Sequence, residues 1–587
     1  MNKTAIKNFA IWARNKLIAD SRYQLRLLGI DENGIKEKLP QSAGDMEFYD
    51  IGTRTPYEVS GEAVRQRRAL VRRIQQEEQQ EDYATAYENV LEESAYTWFN
   101  RLIAIRFMEV NDYLPGRLRV LSSESVNKIE PELVSTPFDG DLDFTSAERE
   151  QISQWQEENK TDELSRLLFI KECNALNDCL PELFEKTKDY TELLLSISVT
   201  DPDGVVYHLV HDIDEADFNV EQGGQVEIIG WLYQYYNTEP KDKVFGRPNG
   251  TKIRKEDIPA ATQLFTPDWI VRYMVENSLG RIWIEKKLSD GKRCDGNLTL
   301  DGSYTGSPAW SSGERQHYEK DFAEKMQWKY YLPAAEQEEA VEQQLAKIRA
   351  GYGQLKIEDI KLLDPCMGSG HILVYAFDVF MQIYESLGYD EKEAAESILT
   401  HNLYGLDIDD RAFQLAYFAL FMKARQYSRR VLKKGIELNI CAIQESNGIE
   451  TWEDLTYEEV SKDKSGLGVI ERLLLKFRDA KEYGSLLAVP GENFQNALDW
   501  LEEAKTSNLV EGLLTSSWVS DLAARLPGLV KQAQLLSQLY EVVVTNPPYM
   551  GGSGMNAPLA KFVKKAYPDS KSDLFAVFIE RCLELTK

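Results

Sequence analysis

The chain is 587 residues long, too long for one hydrophobic core and long enough for two to four domains. With 43% hydrophobic and 28% charged residues it has the composition of an ordinary globular protein, not of a disordered or fibrous one. A formal net charge of −28 argues against a surface that wraps nucleic acid generally, though not against a local basic groove. No run approaches the ~18 apolar residues of a membrane span, and Met1-Asn2-Lys3-Thr4 opens no signal-peptide core. The expectation is a cytoplasmic protein with no membrane contact. Six scattered cysteines form no CxxC pair, so neither a zinc site nor a disulfide frame is implied. His208 and His211 make an HxxH in an apolar segment without nearby partners. They read as a structural pair, and no metal site is expected.

Residues 2–29 set Ile6, Phe9, Ile11, Trp12, Leu17, Ile18 and Leu25 among basic residues, the pattern of a basic amphipathic helix. Residues 61–82 pass from Arg65, Arg67, Arg68, Arg72 and Arg73 to Glu77, Glu78, Glu81 and Asp82. That charge separation suits a long solvated helix, with a DNA-contacting helix as the alternative. Residues 92–113 are apolar almost all round, which makes them the core helix of a domain in which Arg101 and Arg106 must snorkel or pair. The pattern stays helical to about 240, with no sustained strand alternation and no repeat. A mainly α-helical N-terminal domain is expected over 1–240, with no catalytic signature in it. A polar linker is expected over 241–259, and a second domain over 260–587.

In that second domain Leu264-Phe265-Thr266-Pro267-Asp268 precedes an apolar helical pattern. Thr266 is a natural N-cap and Pro267 a natural first helical residue. Residues 290–355 read as an insertion. Residues 360–377, IKLLDPCMGSGHILVYAF, predict a short buried strand, a tight glycine loop and an apolar helix. The loop lacks the GxGxxG spacing of a pyrophosphate site. Gly368 and Gly370 instead permit close approach of a compact ligand, the helix start favours a carboxylate, and Asp364 supplies charge for an ammonium. An amino-acid zwitterion wants both. Cys366 reads as packing, not as a nucleophile.

A second strand is predicted at Asn402 to Asp407, with Asp407 at its tip for ribose hydroxyls and Ile408 able to pack on an adenine. A helix-capping aspartate is the plain alternative. Leu438–Ile443 is a plausible third strand, with Gln444 to Asn447 at its tip. After a further insertion near 448–535, the β-branched run Val542-Val543-Val544-Thr545 stops abruptly at Asn546-Pro547-Pro548-Tyr549. The two prolines fix the backbone and remove two donors. The Asn546 oxygen and the Pro547 carbonyl can then accept the two N–H bonds of a planar exocyclic amine while Tyr549 stacks on its ring. An ordinary strand-to-loop turn is the alternative taken alone.

Together these pieces resemble the amino-group DNA methyltransferases of the gamma order. Phe265-Thr266-Pro267 matches their N-terminal cofactor motif, Asp364-Pro365-Cys366-Met367-Gly368-Ser369-Gly370 the glycine loop, and Asp407 the ribose acid. Asn546-Pro547-Pro548-Tyr549 matches the catalytic tetrad, and Ser572-Asp573-Leu574-Phe575 the following helix. The segment Tyr96-Thr97-Trp98-Phe99-Asn100-Arg101-Leu102 is similar to the helical domain of large modification enzymes, most of all the PglX-like adenine methyltransferases of BREX phage-defence systems.

The resemblance implies a Rossmann-like methyltransferase sheet and S-adenosyl-L-methionine as cofactor. Phe265, Thr266, Pro267, Asp364, Pro365, Gly368, Gly370, Asp407, Ile408 and Asp573 would then line the cofactor site, and Asn546, Pro547, Pro548 and Tyr549 the catalytic one. It further implies N6-adenine marking of double-stranded DNA alongside other phage-defence proteins. RNA or protein glutamine as acceptor, or a non-catalytic scaffold that binds S-adenosylmethionine or DNA, are the rivals. A sheet of this family needs more strands after the catalytic one, but only a polar loop and one helix follow Tyr549. The expectation is therefore an N-terminal portion of a protein that continues with those strands and a target-recognition domain, through which most DNA contacts would be made.

Overall fold

The computed structural model describes the chain apart from residues 79–81, 126–127, 186–189, 249–250, 290–311, 450–464 and 507–515. It divides into two compact units, Met1–Glu239 and Pro240–Lys587.

In the first unit, α1 (Lys3–Leu27) buries Ile6, Phe9, Ala13, Leu17 and Leu25 and is capped by the Asn2 side chain, which accepts from the Ala5 amide. Two small antiparallel pairs follow: β1 (Ile30–Asp31) with β2 (Gly34–Ile35), and β3 (Met46–Tyr49) with β4 (Tyr57–Ser60). The sequence reading placed no strands before residue 240. These strands bury only Ile30, Glu47, Tyr49 and Val59, too few side chains to set up a visible alternation. Helix α2 (Glu62–Glu78) leads to α3 (Tyr83–Val110), capped by Asp82 through the Thr85 amide.

Apolar residues on every face make α3 the axis of the unit, with α1 and α4 (Ile228–Tyr236) packed on it; Phe99 and Tyr96 lie 4.6 and 5.0 Å from the Tyr236 ring. Its two buried arginines are paired. Arg101 donates to the carbonyls of Leu183 and Glu185, and Arg106 bonds Glu109, Glu215 and Ser122. His208 and His211 lie on a short helix, on Asp212 and on the Tyr207 carbonyl respectively. Among the described residues no group of three or more His, Cys, Asp or Glu side chains could hold a metal ion. No helix among them is long and apolar enough to cross a membrane.

The expected linker is not extended where it begins: α5 (Thr238–Phe245) runs through its first residues. After short helical turns at Lys255–Asp257 and Ile258–Thr262, the second unit continues with α6 (Asp268–Glu276) and is built on a four-stranded parallel sheet. Its strands are β5 (Leu362–Asp364), β6 (Leu403–Asp407), β7 (Asn439–Ala442) and β8 (Val542–Val543), in the order β7-β6-β5-β8. Helix α7 (His371–Ser386) connects β5 to β6, and α8 (Asp410–Arg425) connects β6 to β7. Gly405 of β6 faces α7 so closely that a Cβ there would lie 2.9 Å from Leu373 and 2.5 Å from the Met367 sulfur. The alternate side chains Leu363, Tyr404, Leu406 and Cys441 enter another core with Leu522, Leu526, Leu529 and Ala533 of α9 (Ser516–Ser537). Helices thus cover both faces. Helix α9 is the crossover into β8, so the C-terminal end of the expected 448–535 insertion is part of the sheet's own core. The Gly/Ser/Asn-rich part of the other expected insertion lies outside the described residues.

Chain order reverses between β5 and β8, and the ends of those strands form the crevice at which open parallel sheets receive ligands. Beyond β8 come α10 (Ala557–Ala566) and α11 (Leu574–Leu585). After α11, Thr586 makes an isolated parallel bridge to Tyr540, and the Lys587 amide donates to the Tyr540 carbonyl at 3.0 Å.

Candidate functional site

Strand β5 ends in Asp364, 1% exposed, and its register with β8 brings residues 544–546 alongside it. The Val544 amide donates to the Leu363 carbonyl at 2.9 Å. Asp364 Oδ1 accepts from the Cys366 amide at 3.0 Å, whereas Oδ2 is buried without a well-formed hydrogen bond among the described residues, and the Thr545 hydroxyl stands close enough to the carboxyl to stabilise its charged form. Burial pushes the Asp364 carboxyl up to about 7, opposed in part by Thr545 and the Cys366 amide. Burial likewise raises the Cys366 thiol, which removes it as a thiolate nucleophile.

In the glycine loop Gly368 (φ +53°) has open space where a Cβ would stand, and Gly370 (φ +83°) packs against Ala416. Asp407, at the end of β6, pins this loop. Its Oδ2 accepts from the Gly368 amide and its Oδ1 from the Asp409 amide, both at 2.9 Å. Burial raises this carboxyl to about 6 against the pull of those amides. Asp364, buried at the end of β5, and Asp407, half-buried at the end of β6, thus stand at neighbouring strand ends on either side of the glycine loop, near enough for the charge of Asp407 to raise the Asp364 carboxyl.

Because Asp364 holds a proton in the folded state that the unfolded chain releases above its ordinary pKa of 3.8, it contributes stability in full below about pH 4. That contribution is lost as pH rises through about 7. Asp364→Asn cannot lose it, so its melting temperature should rise relative to wild type between pH 5 and pH 8. A pH-independent difference between the two proteins would mean that the carboxyl is ionised throughout.

The Phe265-Thr266-Pro267 segment arrives from far away in sequence. Phe265 stacks flat on His371, the first residue of α7, with ring centroids 4.3 Å apart and planes 5° apart. Thr266 does not cap α6. The helix begins one residue later, Pro267 occupies the cap position without a side-chain bond, and the Thr266 hydroxyl accepts from the Asn546 amide nitrogen at 3.0 Å. Asn546 Oδ1 in turn accepts from the Tyr549 hydroxyl at 3.1 Å. Thr266, Asn546 and Tyr549 thus form a continuous chain, and it leaves the Tyr549 ring 56% exposed beside the half-exposed ring of Phe575, 6.1 Å away.

Other expected residues stand further from the glycine loop. Asp573 caps α11, its Oδ1 accepting from Phe575 and from Met550, so it ties down the segment that follows Tyr549. Ile408 is half-buried against Gly484, and Ser485 donates to the Pro365 carbonyl at 2.6 Å, so a segment from the expected insertion backs the loop. The tip of β7 is spent on packing. Gln444 bonds Gln532, Ser446 bonds the Leu474 carbonyl and Asn447 bonds Asp479. Neither His371 nor Ser485 was visible in advance, since each is defined only by its partner across the fold.

Residues 401–587 match the model of the Eco57I restriction-modification methylase family. The whole chain is 44% identical to the adenine-specific methyltransferase PglX of Lacticaseibacillus casei (strain Zhang), covering 46% of that protein. It is 37% identical, again over its whole length, to the adenine-specific methyltransferase BrxX of Escherichia coli O9:H4 (strain HS), of which it also covers 46%. A shorter stretch, 18% of the chain, is 30% identical to a putative type II restriction enzyme and methyltransferase of Methanocaldococcus jannaschii, of which it covers 10%. The chain is related to PglX and BrxX from end to end and spans about half the length of each.

Proposed function

We propose that this chain is the cofactor- and acceptor-binding part of a site-specific DNA adenine N6-methyltransferase that uses S-adenosylmethionine and marks host DNA within a phage-defence system. Its sheet is read as a Rossmann-like methyltransferase sheet, from the strand order β7-β6-β5-β8 and the glycine loop after β5. The observation that carries the reading is the hydrogen-bonded chain Thr266–Asn546–Tyr549 standing at the reversal point beside the Asp364–Gly370 loop. It joins an acceptor motif to a cofactor motif 280 residues away.

The residues present fit the cofactor. Asp364, with a buried oxygen left over, suits its ammonium, Asp407 at the tip of β6 suits its ribose hydroxyls, and the open face of Gly368 suits its bulk. When bound, S-adenosylmethionine supplies a methyl group on a sulfonium, open to in-line displacement. Ile408 and Phe265 would flank it, and Pro365, Gly368 and Gly370 would hold its amino-acid end.

Asn546 Oδ1 and the Pro547 carbonyl offer two acceptors to the exocyclic amine, which turns its lone pair out of conjugation. Thr266 holds the amide of Asn546 in the orientation that leaves Oδ1 facing the acceptor side. Pro548 keeps the turn rigid, and the exposed Tyr549 ring is a platform for the base. An adenine inside a duplex cannot reach this platform, so it must be flipped out. The amine becomes acidic as it is alkylated and sheds its proton to water, so no strong general base is required. Catalysis is then chiefly positioning.

The test is transfer of labelled methyl groups from S-adenosylmethionine by the full-length protein to DNA, RNA and protein, with the product nucleoside identified. Label in N6-methyladenine of DNA supports the reading, and label confined to RNA or protein overturns it. Thr266→Val should lower turnover about tenfold, the value of one lost hydrogen bond. If Thr266→Val weakens only cofactor binding and leaves turnover intact, Thr266 does not position Asn546.

A further inference from the structure

We propose that the segment after the acceptor motif, together with residues 252–254, forms a basic strip that grips the phosphate backbone of the duplex beside the flipped base. The proposal rests on the reading of the chain as a DNA methyltransferase. In a chain of net charge −28, residues 550–572 carry Lys561, Lys564, Lys565 and Lys571 against Asp569 alone. Residues 251–255 carry Lys252, Arg254 and Lys255 with no acid.

The fold joins these two stretches. Lys252 donates to the Ser553 carbonyl at 2.7 Å, the Ile253 amide to the Gly554 carbonyl at 3.0 Å, and Ile253 packs on the cluster that holds Met550, Met555, Leu559 and Val563. Met550 directly follows Tyr549, so the strip is anchored to the acceptor motif itself.

Helix α10 turns Leu559 and Val563 inward. Lys561, Lys564 and Lys565, at spacings of three and four, share its outer face and are all exposed. Among the described residues none of these three, nor Lys252 or Lys571, has a carboxylate within ion-pair distance, whereas Arg254 lies 3.6 Å from Glu256 and Lys255 is held by Glu445.

The arginine-rich helix α2 offers a contrast. Arg65 is paired with Glu62, Arg68 with Glu47 and Arg73 with Glu77 and Glu93, while Arg67 is buried on the Leu28 carbonyl and the Tyr49 ring. Those four arginines are already engaged, and among the described residues Arg72 alone of the helix's arginines is exposed without an ion pair. The lysines of α10 are not engaged, and cations exposed next to an acceptor platform are what a polyanion would meet first.

The experiment is DNA affinity of the full-length protein against salt concentration, by fluorescence anisotropy, for wild type and for Lys561→Gln/Lys564→Gln/Lys565→Gln. Removing each lysine–phosphate ion pair should flatten the logarithmic salt slope by about one unit, so a drop of about two to three is expected, with unchanged S-adenosylmethionine binding by calorimetry. The corresponding arginine triple variant should keep the wild-type slope. An unchanged slope in the glutamine variant overturns the strip, and persistent adenine methylation in that case leaves the methyltransferase reading standing. A lysine-dependent slope in a protein that methylates no DNA supports the strip and overturns the reading. No binding of DNA by wild type overturns both.

Discussion

Replacing Asn546 by alanine should cut methyl transfer by at least a factor on the order of 10²–10³, as removal of a single positioning group at a reacting centre does. The affinity for S-adenosylmethionine should stay close to that of wild type. Asn546 bonds Thr266 and Tyr549, and neither bond supports the glycine loop that would hold the cofactor. The loss therefore belongs in the chemical step. Single-turnover transfer of labelled methyl groups, with calorimetry of cofactor binding alongside, separates the two quantities. A variant that methylates at the wild-type rate would refute the acceptor role of Asn546. A variant that fails only because it no longer binds cofactor would move Asn546 to the other side of the site.

Asp407→Ala should weaken cofactor binding by a factor on the order of 100, the free energy of leaving two buried amides without an acceptor. Those amides are Gly368 and Asp409, so the side chain acts twice, as a charge beside the ligand and as the pin of the glycine loop. Asp407→Asn keeps the shape and one acceptor oxygen but not the charge, and should fall between wild type and Asp407→Ala. Calorimetry on the three proteins reads this order directly. Equal affinities for all three would take Asp407 out of the site. Equal losses in the two variants would assign the whole effect to charge.

Strands β5 to β8 fall on the stretches 360–364, 402–407, 438–443 and 542–545, because each is a short run of mostly apolar residues, with a proline directly after β5 and two soon after β8. The glycine loop was legible for a similar reason, since Gly368 and Gly370 both adopt positive φ. Local rules failed where two neighbours competed. Thr266 has the right chemistry to cap α6, but its hydroxyl is taken by Asn546 and the cap passes to Pro267. The short pair β3–β4 escaped notice because so few of its side chains are buried.

What the sequence determined by itself is what depends on adjacent residues: the apolar periodicity of α3, the strand runs, the glycine loop and the rigid Asn546-Pro547-Pro548-Tyr549 turn. Only the tertiary structure decided which polar atoms are used up and which are left over. Arg65, Arg68 and Arg73 look as available in the sequence as Lys561, Lys564 and Lys565, but among the described residues the first three are paired and the last three are not. Phe265 and His371, Thr266 and Asn546, and Ser485 and Pro365 meet only after the sheet has closed. The physical reason is that a hydrogen bond or ion pair reaches about 3–4 Å, so its partner is set by the path of the whole chain and not by spacing along it.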